Sequence, residues 1–276
     1  MKFCAFFAFL LAATVGISGN SASAAITNVS PGNPSGWSFY STDASGVINT
    51  GAATGTFVNG PGSPPLGTGS FNFQTAPGQG DGSGQLRNAI FVGTKLSALT
   101  ALSYSTYYTV KGADQVPYLT LYVDTNNDGI KDDRLFFEPE YSSGLYGNGD
   151  PNPQPGITAN VWQTWDALNG RWYSENGPGG PGANTVSLAQ YIAAHPLAAL
   201  AVDGQGGTVR LTSGFTSPGD NFNTYVDNFT IGVTGDVRTF DFELAGPVPE
   251  PATLTLWSLG ALGLAAARLR RRNSNA

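Results

Sequence analysis

Asp124, Asn126 and Asp128 recur at every second position of the stretch DTNNDGIKDD, with Gly129 next, where the chain can turn sharply, and Asp132 three residues beyond it. Side-chain oxygens at alternate positions of a tight loop converge, and carboxylate and amide oxygens suit a hard divalent cation. With the main-chain oxygen of Ile130 at the seventh place, the spacing predicts a calcium site made by Asp124, Asn126, Asp128, Ile130 and Asp132. The twelfth place, where a bidentate Glu completes such a set, holds Leu135, and Asp133 stands at the tenth. The same residue types also build a solvated hairpin turn, although its carboxylates repel one another without a cation. An ion here would be structural rather than catalytic.

Catalytic chemistry has few carriers in this chain. The only cysteine is Cys4 and the only histidine is His195, beside Pro196. A nucleophile oriented by an imidazole, or a cluster of histidines around zinc, needs more than that; His195 is expected to cap a helix end and meet its dipole. Two carboxylates suffice for glycoside hydrolysis. The stretch FFEPEY places Glu138 and Glu140 on one face if it is extended, roughly 6.5 Å apart at about 3.3 Å per residue. Pro139 between them points to a strand edge or end.

Binding chemistry is better supplied. VWQTWDALNGRWY carries Trp162, Trp165, Trp172 and Tyr173. Aromatic faces stack on the C–H faces of sugars while neighbouring Asp and Asn orient hydroxyls, so Trp165 and Trp172 are candidate glycan contacts. The competing fate of such rings is burial in a core. Trp162 and Trp165, three apart on a strand, face opposite ways.

The elements that must position these groups are strands. From Gly36 to Glu243, short runs such as WSFYS, GTFVN, SFNFQ, AIFVG, SYSTYYTV, YLTLYVD, RLFFE, TVRLTS, YVDNFTIGV and TFDFE alternate with Gly, Pro, Asn, Asp and Ser clusters. This pattern predicts an all-β, jelly-roll-like antiparallel sandwich. In YLTLYVD, Leu119, Leu121 and Val123 face one way and Tyr118, Thr120, Tyr122 and Asp124 the other. One short helix is expected in SLAQYIAAHP, opened by a Ser187–Gln190 capping box and stopped by Pro196. Pro/Gly-rich stretches such as NGPGSPPLGTGS and GNGDPNPQPG read as surface loops, because β runs continue on both sides.

The two ends differ from this middle. Lys2, an apolar run and Ala22–Ala24 read as a secretory signal over 1–24, whose removal takes Cys4 with it. Residues 25–247 form the expected sandwich domain, with 8 Lys and Arg against 18 Asp and Glu; that acidic balance excludes ordinary nucleic-acid binding. The tail, 248–276, opens with Val248-Pro249-Glu250-Pro251. An apolar run from Ala252 to Ala267 follows, about 24 Å of helix at about 1.5 Å per residue, and then Arg268, Arg270, Arg271 and Arg272. A bilayer core is about 30 Å thick, so the fit is marginal, and the arginines hold the C-terminus on the cytoplasmic side.

Motif, apolar helix and arginine cluster in that order resemble the PEP-CTERM sorting domain. The resemblance implies an exported protein of a Gram-negative bacterium that makes exopolysaccharide, inserted transiently in the inner membrane by its C-terminal helix. It also implies recognition and cleavage by an exosortase-type membrane protease, with release to the cell surface or extracellular matrix. From YLTLYVD through VWQTWDALNGRWY to YVDNFTIGV the chain also resembles the jelly-roll sandwiches of secreted bacterial proteins, including carbohydrate-binding modules of the galactose-binding-like type.

The combined expectation is a non-enzymatic, calcium-stabilised β-sandwich that binds extracellular polysaccharide. A polysaccharide-modifying hydrolase using Glu138 and Glu140, and a purely structural matrix or adhesion protein, are the alternatives.

Overall fold

A computed structural model describes residues 24–76, 82–111, 116–214 and 221–244. The leader segment and the tail, with Val248 to Pro251 and the apolar helix, lie outside the described residues. Among those described, no helix is long and apolar enough to cross a membrane.

The described strands form two sheets. The first holds β1 (Ala25–Val29), β3 (Ala53–Asn59), β4 (Gly69–Thr75), β6 (Leu99–Val110), β9 (Gln163–Asp166), β14 (Asn223–Val233) and β15 (Asp236–Phe242). The second holds β2 (Ser38–Thr42), β5 (Ser83–Asn88), β7 (Tyr118–Asp124), β8 (Asp133–Phe137), β10 (Arg171–Ser174), β11 (Val186–Ser187), β12 (Ala199–Leu200) and β13 (Val209–Gly214). Pairing is antiparallel except between β1 and β15, which run parallel.

In the first sheet β14 pairs with β6 along one edge and with β4 and then β15 along the other. In the second the order is β11-β10-β8-β7-β13-β5-β2, with β12 extending the ladder on β7.

The sheets close on one aromatic and aliphatic core. Trp37 presents its indole edge-on to Phe229, Phe240 and Phe242 at 5.3–5.4 Å between centroids, while Phe39 of β2 meets Phe71 and Phe73 of β4 at 5.8 and 6.4 Å. Fully burying such a side chain stabilises the fold by about 1.5–3 kcal/mol. Two glycines permit this approach: a Cβ at Gly55 would lie 2.3 Å from the Phe39 ring, and one at Gly84 would lie 2.9 Å from Phe73.

Strand propensity located most of the elements, with one informative departure. AIFVG forms a turn, with Phe91 at φ 56°, and the strand there is the preceding SGQLRN of β5. Its outward side chains are Gln85 and Arg87, so no apolar alternation marks it. The helix α1 (Leu188–Ala194) carries the capping box as read: the Ser187 side chain accepts from Gln190 N and the Gln190 side chain from Ser187 N. His195 follows at its C-terminal end, its N–H donated to Tyr191 O and its ring 4.9 Å from Tyr191.

Candidate functional site

The loop after β7 holds Asp124, Asn126, Asp128, Ile130 and Asp132 together, but its oxygens turn onto its own backbone. Asp124 Oδ1 accepts from the amides of Asn126, Asn127 and Asp128, and its Oδ2 accepts from Gly129 N at 2.6 Å. Asp128 Oδ1 accepts from Ile130 N, and Asp132 accepts from both N and Oγ1 of Thr125. Asp133 points the other way, taking the Tyr191 hydroxyl at 2.7 Å. Positive φ at Asn127 (62°) and Gly129 (89°) lets the chain make this turn. Among the described residues no three acidic, His or Cys side chains gather closely enough to hold one ion.

The two tryptophans require a correction. Trp165 and Trp172 are both 0% exposed. Trp165 donates its Nε1–H to Thr106 Oγ1 at 2.8 Å and Trp172 to Ala167 O at 2.9 Å, and Trp172 packs on Phe137. Both lie on inward positions of strands that cover the core, where a sugar has no access. Trp162 is half-buried and donates to Pro61 O.

Glu138 and Glu140 do not form the pair that an extended FFEPEY predicts. Pro139 opens a 3-10 turn over Pro139–Ser142, which rotates the two carboxylates toward different cavities. Glu140 lines a pocket of about 220 Å³ with Lys111, Tyr146 and Ile157 and accepts from Val116 N at 3.0 Å. Burial pushes its carboxyl up to about 8. Glu138 lines a larger cleft instead.

That cleft, about 540 Å³, lies on the outward face of the second sheet. Alternation fixes its membership: while Leu86, Leu119, Leu121, Leu135, Trp172 and Leu211 enter the core, their strand neighbours project outward. Register then aligns them. Arg87, Arg210, Thr120, Phe136 and Tyr173 stand opposite one another in a row across β5, β13, β7, β8 and β10. Gln85, Thr212 and Tyr118 form a second row, and Tyr122 with Arg134 a third.

The rings make a platform. Phe136 and Tyr173 stack at 4.8 Å with 13° between planes, and Tyr118 lies 6.5 Å from Phe136. Phe136 and Tyr173 are half-buried, leaving ring surface in the cleft. Tyr173 donates its hydroxyl to Glu138 Oε1 at 2.5 Å. Burial raises Glu138, Tyr122 and Tyr173 above their ordinary values, with Glu138 raising Tyr173 further, and pushes Tyr118 up to about 12. These phenols therefore stay protonated and able to donate.

The cations are held beside the rings. Arg87 donates to Asp203 at 2.5 Å, to Gln205 at 2.7 Å and to Gln85, with Tyr40 5.2 Å beneath its guanidinium. Arg134 forms a fork with Glu175 at 2.8 and 2.5 Å and lies 5.4 Å from the Phe136 ring. Arg210 donates to Thr120 Oγ1 at 3.1 Å and sits 5.6 Å from Tyr122. The result is apolar ring surface flanked by fixed donors and acceptors. Among its lining residues there is no His or Cys.

Of these groups, sequence reading placed only the outward direction of Tyr118, Thr120 and Tyr122. Period-two alternation in RLFFE and TVRLTS was the available signal for Arg134, Phe136 and Arg210, while nothing local marks β5.

Residues 247–272 match the PEP-CTERM protein-sorting motif. The chain thus carries that motif, which marks an exported, membrane-transiting protein sorted to the cell surface. No curated protein matches the chain. Among solved structures, it is similar to a family 11 carbohydrate-binding module from Clostridium thermocellum in complex with a β-1,3-1,4-mixed-linked tetrasaccharide (12% identity, TM-score 0.32, 76% of this chain and 91% of that one). A structure of carbohydrate-binding modules from the β-sandwich superfamily gives 11% identity and a TM-score of 0.28 over 73% of this chain and 56% of that one. SGBP-B from a xyloglucan utilization locus of Bacteroides uniformis gives 13% and 0.29, over 66% of this chain and 45% of that one. The chain thus spans about half the length of the latter two.

Proposed function

We propose that this exported protein binds extracellular polysaccharide in the cleft on the outward face of its second sheet, without chemical turnover. One observation carries the reading: the Phe136–Tyr173 stack, 4.8 Å between centroids, is open to a cleft whose other walls include phenols, amides, carboxylates and guanidinium groups. Ring faces take the apolar side of a sugar, and polar groups whose positions are already fixed bind hydroxyls at little entropic cost. The sorting motif supports a setting outside the inner membrane.

The test is affinity electrophoresis of the exported protein through gels containing the producer's exopolysaccharide and a panel of plant and bacterial polysaccharides. Retardation that is abolished in the double variant Phe136→Ala/Tyr173→Ala, with no new reducing ends released, supports the reading. Retardation unchanged in that variant would place binding elsewhere, and release of reducing ends would make the protein an enzyme.

A further inference from the structure

Four of the eight Lys and Arg residues between positions 25 and 247 line this one cleft: Arg87, Lys131, Arg134 and Arg210. In a chain of acidic balance, such concentration in one place calls for a counter-charge. Among the described residues two of the four are ion-paired, and Glu175 also lies close enough to Lys131 and Arg210 to feel their charge. Arg87 is paired with Asp203, both side chains 5% exposed, and Arg134 is paired with Glu175.

Arg210 differs. It is 5% exposed, directly opposite Arg87 in the β5–β13 ladder, and like charges placed so destabilise a sheet. Among the described residues it donates to the neutral Thr120 hydroxyl and lies against the Tyr122 ring, and its buried Nε has no hydrogen-bond partner. Arg87 Nε is likewise buried without a partner. A buried guanidinium left short of acceptors costs free energy that folding alone gives no reason to spend. A planar anion entering the cleft would supply the missing acceptors, since a carboxylate matches a guanidinium fork with two parallel bonds.

Resting on the polysaccharide reading above, we infer that the cleft selects an acidic polysaccharide, with the carboxylate of a uronic acid residue seated on Arg210 and the sugar ring on the Phe136–Tyr173 stack. Neutral polysaccharides keep the stacking and lose the ion pair. Charge on the polymer therefore sets the affinity, and ring stacking sets where along the cleft each residue lies.

The experiment compares the exported protein on polygalacturonate and alginate with the same polymers after reduction of their carboxyl groups to alcohols. A charge-assisted pair at a buried site predicts binding at least about tenfold weaker to the reduced polymers. Arg210→Met should abolish that preference and Arg210→Lys, a point charge without the fork, should retain part of it, with near-ultraviolet circular dichroism reporting that each variant is folded. Equal affinity of the unaltered protein for the acidic and reduced polymers overturns this inference while leaving polysaccharide binding intact. If neither form is bound, nor any polysaccharide of the wider panel, the binding reading falls with it. A preference that survives in folded Arg210→Met would assign the anion to another cation and refute the role of Arg210.

Discussion

Arg87 and Arg210 face each other across the β5–β13 ladder, and among the described residues the one carboxylate ion-paired to either of them is Asp203, 2.5 Å from Arg87. Removing that charge strands a buried guanidinium beside a second one. Asp203→Asn should cost about 3–5 kcal/mol, the penalty for breaking a buried pair from one side, read from the shift of the urea midpoint. A cost below about 1 kcal/mol would mean that Gln85 and Gln205 already compensate Arg87.

The two buried tryptophans separate stability from binding. Trp172→Ala opens a void against Phe137 and frees Ala167 O from its donor; the expected loss is about 3–5 kcal/mol. At temperatures where the variant stays folded, retention on polysaccharide gels should match the unaltered protein. Weaker retention by the folded variant would return Trp172 to the binding surface.

The stability profile with pH follows from buried carboxyls. Burial pushes Glu140 up to about 8, Asp227 to about 7 and Asp241 to about 6. A carboxyl whose proton is held more tightly in the folded chain stabilises that chain fully below its unfolded pKa, near 4, and this contribution is lost as pH rises through the folded value. Glu175 and Asp236, held down by Arg134 and Arg238, act the opposite way only at more acid pH. The melting temperature should therefore be highest near about pH 4–5 and fall toward about pH 8. Glu140→Gln keeps an acceptor for Val116 N and should flatten the fall at its alkaline end. A melting temperature that rises from pH 5 to 8 would contradict the assignment.

Calcium is decided by titration. The loop's carboxylates are already met by its own amides, so adding calcium or a chelator should leave the melting temperature within about 1 °C. An ion held at a hundredfold excess over its Kd would contribute about 2.7 kcal/mol, a rise of several degrees for a domain of this size. Such a rise, lost in Asp128→Ala, would establish the site that the spacing suggests.

The tail predicts a mass. Cleavage at the PEP-CTERM motif removes the apolar run and the arginines, so the exported protein should end near residue 250. An intact mass that includes Arg268 to Arg272 would show the tail retained as an anchor.

What the sequence determined by itself is local. Strand-length β runs between turn residues, the Ser187–Gln190 cap and the linear order of motif, apolar run and arginines are each written in adjacent residues, and periodicity and capping act over a few positions. The family of the tail was legible for the same reason. The cleft was not, because its residues come from six strands and become neighbours only when β5, β13, β7 and β8 are hydrogen-bonded in register. Aromatic spacing drew attention to Trp165 and Trp172, but composition cannot say which face of a strand meets the other sheet; packing sent both inward and left Phe136 and Tyr173 outside. The acidic loop shows the same limit. Its donors have the right order, and only the folded backbone, by offering its own amides first, decided where those oxygens point.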